Sequence, residues 1–84
     1  MSKPPARATL RRAFARTVRA LRRRAGISQE QLALRSGIDR GYMSGLERGL
    51  HSPTLGTIYR LLPVVGVSFA EFAAELDRQL EIKG

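Results

Sequence analysis

No cysteine occurs in the chain, which excludes disulfide frameworks, thiolate nucleophiles and cysteine-ligated zinc sites and suits a reducing compartment. Tryptophan is absent as well. One histidine, His51, is too little for a metal site or for general acid–base catalysis. The acids are few and dispersed, and there is no phosphate-binding glycine loop or nucleophile motif, which argues against an enzyme. The longest apolar stretch, Leu61 to Phe69, is interrupted by Pro63, Gly66 and Ser68 and is too short to span a bilayer. These absences point to a cytoplasmic protein with no metal, no cofactor and no evident small-molecule ligand.

Acidic residues are also missing from the whole stretch before Glu30. Lys3, Arg7, Arg11, Arg12, Arg16, Arg19, Arg22, Arg23 and Arg24 precede it, and the formal net charge is +8. After Gly66 the balance reverses, with Glu71, Glu75, Asp77 and Glu81 against Arg78 and Lys83. Such a molecule has one end suited to a polyanion and one end that avoids it. An Arg-rich, acid-free leader also describes a mitochondrial transit peptide, but here the same segment supplies core positions. A basic amphipathic membrane anchor is a further reading. The apolar side of the first helix is needed for the core, however, and it lacks an interfacial tryptophan.

With 84 residues and 43% hydrophobic content, one small domain is expected. Residues 1–8, with two prolines and no apolar periodicity, read as a flexible basic arm, and residues 9–84 as the ordered domain. Thr9 is the expected N-cap of a first helix carrying Leu10, Phe14, Val18, Leu21 and Ala25, stopped by Gly26. Ser28 with Gln31 three residues on predicts a capping box for a second helix that reaches about Arg35. Asp39 caps a third, which ends near Gly49. Thr54 caps a fourth, in which Pro63 should bend or shorten the last turn before Gly66. Ser68 caps a fifth, with Phe69, Phe72, Leu76 and Leu80 in one stripe down to a frayed Ile82–Gly84 tail. No strand alternation or repeat is present, so the fold class is all-α with five helices.

The segment Gln29 to Arg48, QEQLALRSGIDRGYMSGLER, carries the functional signal. Two helices crossing steeply over a tight turn need a small residue at their approach and a positive-φ residue in the turn; Ala33 and Gly37 fill these roles. Leu32, Ile38, Met43 and Leu46 point inward. The segment resembles the helix-turn-helix of the lambda repressor and Cro family, also called the XRE family, and the likeness extends over roughly Phe14 to Leu76. Within that family the run IDRGYMSGLERG also resembles controller proteins of restriction-modification systems. The resemblance implies a five-helix, lambda-repressor-like domain that acts as a transcriptional regulator, with the second helix of the motif in the major groove of double-stranded DNA.

With Met43 and Leu46 facing the core, the outer face of that helix carries Arg40, Ser44 and Arg48, with Gly41 and Gly45 beside them. Arg40, Gly41, Ser44 and Gly45 are the expected base-reading set, Arg40 first because its guanidinium can bond guanine O6 and N7 together. Gly41 and Gly45 together cost about 2 kcal/mol of helix stability relative to alanine, and close approach of the helix backbone to DNA would explain them. Ser28 and Gln29, at a helix start where free amides favour an anion, are expected on phosphates, as the family uses them. Tyr42, Arg48, His51 and Ser52 are the other phosphate candidates. By the family pattern Glu47 pairs with Arg22, a structural ion pair kept off the DNA.

The C-terminal end carries Val64, Val65, Val67, Phe69, Phe72, Leu76 and Leu80, more apolar surface than one small core needs. The first six are the expected homodimer interface. The family also dimerises around the corresponding helices, and a symmetric dimer implies a palindromic operator. Antitoxins and adaptors reuse this fold, so a protein-interaction module is the alternative function.

Overall fold

The computed structural model describes residues 3–81, in which five helices pack around one core: α1 (Arg7–Arg24), α2 (Gln29–Ser36), α3 (Arg40–Glu47), α4 (Leu55–Val65) and α5 (Phe69–Glu81). The expected tail at Ile82–Gly84 and the first two residues of the expected arm lie outside the described residues.

Most helix boundaries follow from local capping. Ser28 Oγ accepts from the Gln31 amide at 3.0 Å while the Gln31 side chain accepts from the Ser28 amide at 2.9 Å. Asp39 and Thr54 cap α3 and α4 through the amides of Tyr42 and Thr57. Ser68 does more than cap α5: it forms a second reciprocal box with Glu71. Gly37 ends α2 at φ +70°, the left-handed conformation the turn requires.

One boundary differs from expectation, and α4 reaches its expected stop at Gly66 without being cut short at Pro63. Helix α1 begins at Arg7, two residues before Thr9, and its N-cap Ala6 makes no side-chain cap bond. The physical limit on its start is the Pro4–Pro5 pair, because a residue before proline is forced into extended conformation. Beyond it Ala6 is the extended N-cap, and Arg7 and Ala8 are good helix formers with nothing to stop them. The non-helical part of the expected arm therefore stops at Ala6. In α4 the helix continues two residues past Pro63 to Val65. Pro63 sits in the last turn on an exposed face, so the one missing amide bond leaves a carbonyl within reach of water.

The core gathers Phe14, Val18 and Leu21 of α1, Leu32 and Ala33 of α2, Met43 and Leu46 of α3, Leu61 and Leu62 of α4, and Phe72 of α5. Ile38 packs against it half-buried. Phe72 is 2% exposed and meets Phe14 with ring centroids 5.7 Å apart. This corrects the expected dimer surface: Phe72 belongs to the monomer core, because the apolar stripe of α5 turns onto α1. No single helix among the described residues is long and apolar enough to cross a membrane.

A polar seam joins the two ends of the chain. Buried Glu75 accepts from Arg24 at 2.8 Å, from Arg78 at 3.1 Å and from Gln79 at 2.8 Å, while Arg16 donates to the Gln79 carbonyl at 3.0 Å. Burial pushes the Glu75 carboxyl pKa up, but the bonds from Gln79, Arg78 and Arg24 outweigh it and hold it below the ordinary value. A depressed folded-state pKa stabilises the fold above the unfolded value of about 4.3 and is lost as pH falls below it. Melting temperature should therefore drop between pH 5 and pH 3 more steeply for the parent than for Glu75→Gln, which has no carboxylate to protonate. Parallel curves for the two proteins would exclude this role for the seam.

Candidate nucleic-acid interface

Capping places the start of α2 at the surface with its first amides pointing outward. The amide of Ser28 is taken by Gln31 and the Ser28 hydroxyl by the Gln31 amide. Ser28 is thus occupied in holding the helix end. The amides of Gln29 and Glu30 have no partner among the described residues, and they carry the positive end of the helix dipole. The half-buried Gln29 is the residue of this pair whose side chain can join an anion bound there.

Helix α3 is fixed from beneath. Met43 and Leu46 are fully buried and Ala33 of α2, 2% exposed, lets the two axes approach. Arg40 and Gly41 are exposed at the helix start, Ser44 is half-buried one turn on, and Arg48 is exposed at the C-cap. The structure thus places Arg40, Gly41, Ser44 and Arg48 along one ridge. A Cβ on Gly41 would meet only Asp39 Oδ2, at 3.1 Å, so the ridge is open there to a close neighbour.

Gly45 departs from this set. It is buried, and a Cβ on it would lie 2.5 Å from the His51 imidazole. After α3 the chain turns at Gly49, φ +75°, and the Leu50 amide bonds back to the Gly45 carbonyl at 2.9 Å. His51 is thereby laid over Gly45 and stacks on Tyr42 at 4.9 Å, the rings 13° from parallel. The missing side chain at Gly45 is explained by this intramolecular packing, and Gly45 does not line the open ridge. His51 and Tyr42 form one aromatic unit at its edge, with Ser52 exposed beyond.

Arg40 has a partner that the sequence pattern does not show: its Nη1 lies 2.7 Å from Glu30 Oε2, with both side chains about two-thirds exposed. An ion pair this exposed contributes at most about 1 kcal/mol, so Arg40 can leave it at little cost. The signal was two opposite charges in neighbouring helices, ten positions apart and with no periodic relation.

Under the ridge, Arg22 and Glu47 form the two-pronged pair that the resemblance implied. Arg22 Nε donates to Glu47 Oε2 at 2.8 Å and Arg22 Nη2 to Oε1 at 2.9 Å, and Glu47 is 3% exposed. A third bond runs from Arg22 Nη1 to the Ile27 carbonyl at 3.1 Å. Arg19 donates to the Glu47 backbone carbonyl, tying α1 to the end of α3. The Glu47 carboxylate beneath the ridge is thereby neutralised and turned inward.

Residues 13–76 match the helix-turn-helix domain family. The chain is similar to the HTH-type transcriptional regulator y4dJ of Sinorhizobium fredii, 44% identical over 57 residues, which are 68% of this chain and 74% of that protein. It is also similar to the HTH-type transcriptional regulator PuuR of Escherichia coli, 34% identical over 58 residues, where it spans only 31% of the relative's length. Among solved structures it resembles the restriction-modification controller protein C.Esp1396I, crystallised as a tetramer with its natural 35 base-pair operator. That likeness has a TM-score of 0.78 at 28% identity and covers 84% of this chain and 93% of the other. By the match over residues 13–76, this chain belongs to the helix-turn-helix domain family.

Proposed function

We propose that the chain is a sequence-specific, DNA-binding transcriptional regulator of the controller-protein kind, working in the cytoplasm as a homodimer on a palindromic operator. The observation that carries this reading is the exposed Arg40 beside Gly41 at the start of a helix locked by Met43, Leu46 and Glu47. A rigid helix end with an exposed guanidinium is the element that direct readout needs. The operator-bound state of the similar C.Esp1396I supports the same assignment.

Roles divide along the geometry. Arg40 and Ser44 read base edges, Gly41 lets the helix sit close, and the amides of α2 with Gln29 hold one phosphate strand. Arg48, Ser52 and the Tyr42–His51 stack hold the other. Arg40→Ala should relax preference at one base position and cost about 1–3 kcal/mol, whereas Gln29→Ala should weaken binding to all sequences about equally. Quantitative binding to a panel of single-base operator variants separates the two. Discrimination lost with Gln29→Ala but kept with Arg40→Ala would reverse the assignment.

The dimer is proposed through α4 and α5. Tyr59, 58% exposed, stacks on Phe69, 37% exposed, at 5.4 Å with the rings 3° from parallel. Val64, Val65, Val67 and Leu76 lie half-buried against the core. A stacked, exposed aromatic pair continuous with such residues is a surface suited to a second copy. Two reading helices about 34 Å apart then require half-sites one helical turn apart. Sedimentation at micromolar concentration, with binding sites selected from random duplexes and aligned for symmetry, tests the proposal. A persistent monomer on asymmetric single half-sites would overturn it.

A further inference from the structure

Helix α1 carries more positive charge than the helix-turn-helix motif uses. Arg12, Arg16 and Arg19 recur at spacings that place them along one side of the helix, and with Arg48 from the α3 C-cap they surround a shallow depression floored by Ala15, 2% exposed. None of the four has a salt-bridge partner among the described residues. The carboxylate of Glu47, whose backbone carbonyl accepts from Arg19, is taken by both prongs of Arg22. The depression is held in place by backbone contacts. Arg19 donates to the Glu47 carbonyl, Arg16 to the Gln79 carbonyl at 3.0 Å, and Gly49 packs on the Arg12 backbone, where an added Cβ would lie 3.5 Å from Arg12 Cα. Arg16 also keeps a buried Nε with no hydrogen-bond partner. Four guanidinium groups gathered without a counter-charge repel one another, and they are stabilised when an anion comes between them.

We propose that this arginine ledge binds the phosphodiester backbone of the same DNA duplex, at phosphates outside those held by α2 and by the loop after α3. The inference rests on the DNA-binding reading above. DNA is favoured because Arg48 belongs to both surfaces, so a strand leaving the α3 ridge at its C-terminal end passes directly onto the ledge. All four cations are arginines, whose planar fork matches phosphate oxygens two at a time. The ledge therefore lengthens the footprint and adds affinity without adding base preference.

Arg12 is the residue to test, because it is exposed and no described hydrogen bond depends on its side chain. Operator affinity of the full chain and of Arg12→Gln is measured from 50 to 200 mM salt, on a duplex limited to the symmetric site and on one extended at both ends. Thermal melting confirms that the variant is folded. Arg12→Gln removes one phosphate contact from each protomer of the proposed dimer, so the salt exponent falls by about 1.8 and the affinity advantage of the parent should shrink about 12-fold over this salt range. The loss should be the same for operator and scrambled DNA and greatest on the extended duplex. An unchanged exponent in a folded Arg12→Gln that still binds overturns the ledge while leaving the DNA-binding reading intact. A parent that binds no duplex defeats that reading instead. Retention of the parent, but not the variant, on phosphatidylglycerol vesicles with equal DNA binding by both would assign the ledge to a membrane surface and overturn the proposal.

Discussion

Replacing Glu47 by alanine should unfold much of the population at physiological temperature. The carboxylate is 3% exposed and receives both prongs of Arg22, itself mostly covered, so truncation leaves a guanidinium without its counter-charge in a confined space. Breaking a buried pair from one side costs about 3–5 kcal/mol. The stability of a domain this small lies near the low end of about 5–15 kcal/mol. Urea unfolding of Glu47→Ala should show a loss of unfolding free energy of that size, read as a lower midpoint at unchanged m. Arg22→Lys should lose part of it, because an ammonium cannot make the two parallel bonds. Replacing both residues by apolar ones of similar volume should recover most of the loss, since neither charge is then stranded. A midpoint unchanged in Glu47→Ala would mean the pair is ornamental, and the orientation of α3 would need another explanation.

Affinity for operator DNA should fall about a thousandfold between 50 and 200 mM salt. If roughly six phosphates are neutralised per bound unit, log affinity falls against log salt with a slope of about −5, and a fourfold rise in salt produces that loss. The charge distribution is the source of the effect, since nine basic residues precede Glu30 and the paired ones among them are Arg22 and Arg24. Fluorescence anisotropy titrations at four salt concentrations give the slope. A value near zero would contradict binding through phosphates altogether.

Two features of the interface show how tightly its chemistry is coupled to the fold. The Glu30–Arg40 pair places a carboxylate at the start of α2, among the amides assigned to a phosphate. The pair holds Arg40 at the surface at little energetic cost, and the proposed readout requires DNA to displace it. The Tyr42–His51 stack depends on the absence of a side chain at Gly45. That glycine therefore serves the loop that flanks the groove, whereas Gly41 leaves the ridge itself open.

Helix count, most of the caps and the position of α3 are written in short stretches of sequence. Capping is local: Ser28 with Gln31, Asp39 with Tyr42 and Thr54 with Thr57 each act across three residues, so their chemistry is complete within a short window. The inward positions Leu32, Met43 and Leu46 were legible for the same reason, since a helical repeat registers which side is apolar. The Ser68–Glu71 box was equally legible and went half-read. Tertiary structure alone decided what each face meets. Phe72 could serve a dimer or the core until α5 was seen to lie on α1, and Gly45 could face DNA or a neighbour until the loop brought His51 over it. The partners of Arg40, Arg16 and Arg24 depend on helix crossings and on the reach of long side chains. Neither leaves a periodic trace, because a flexible guanidinium can meet a carboxylate or carbonyl at any sequence separation once packing has brought the backbones together.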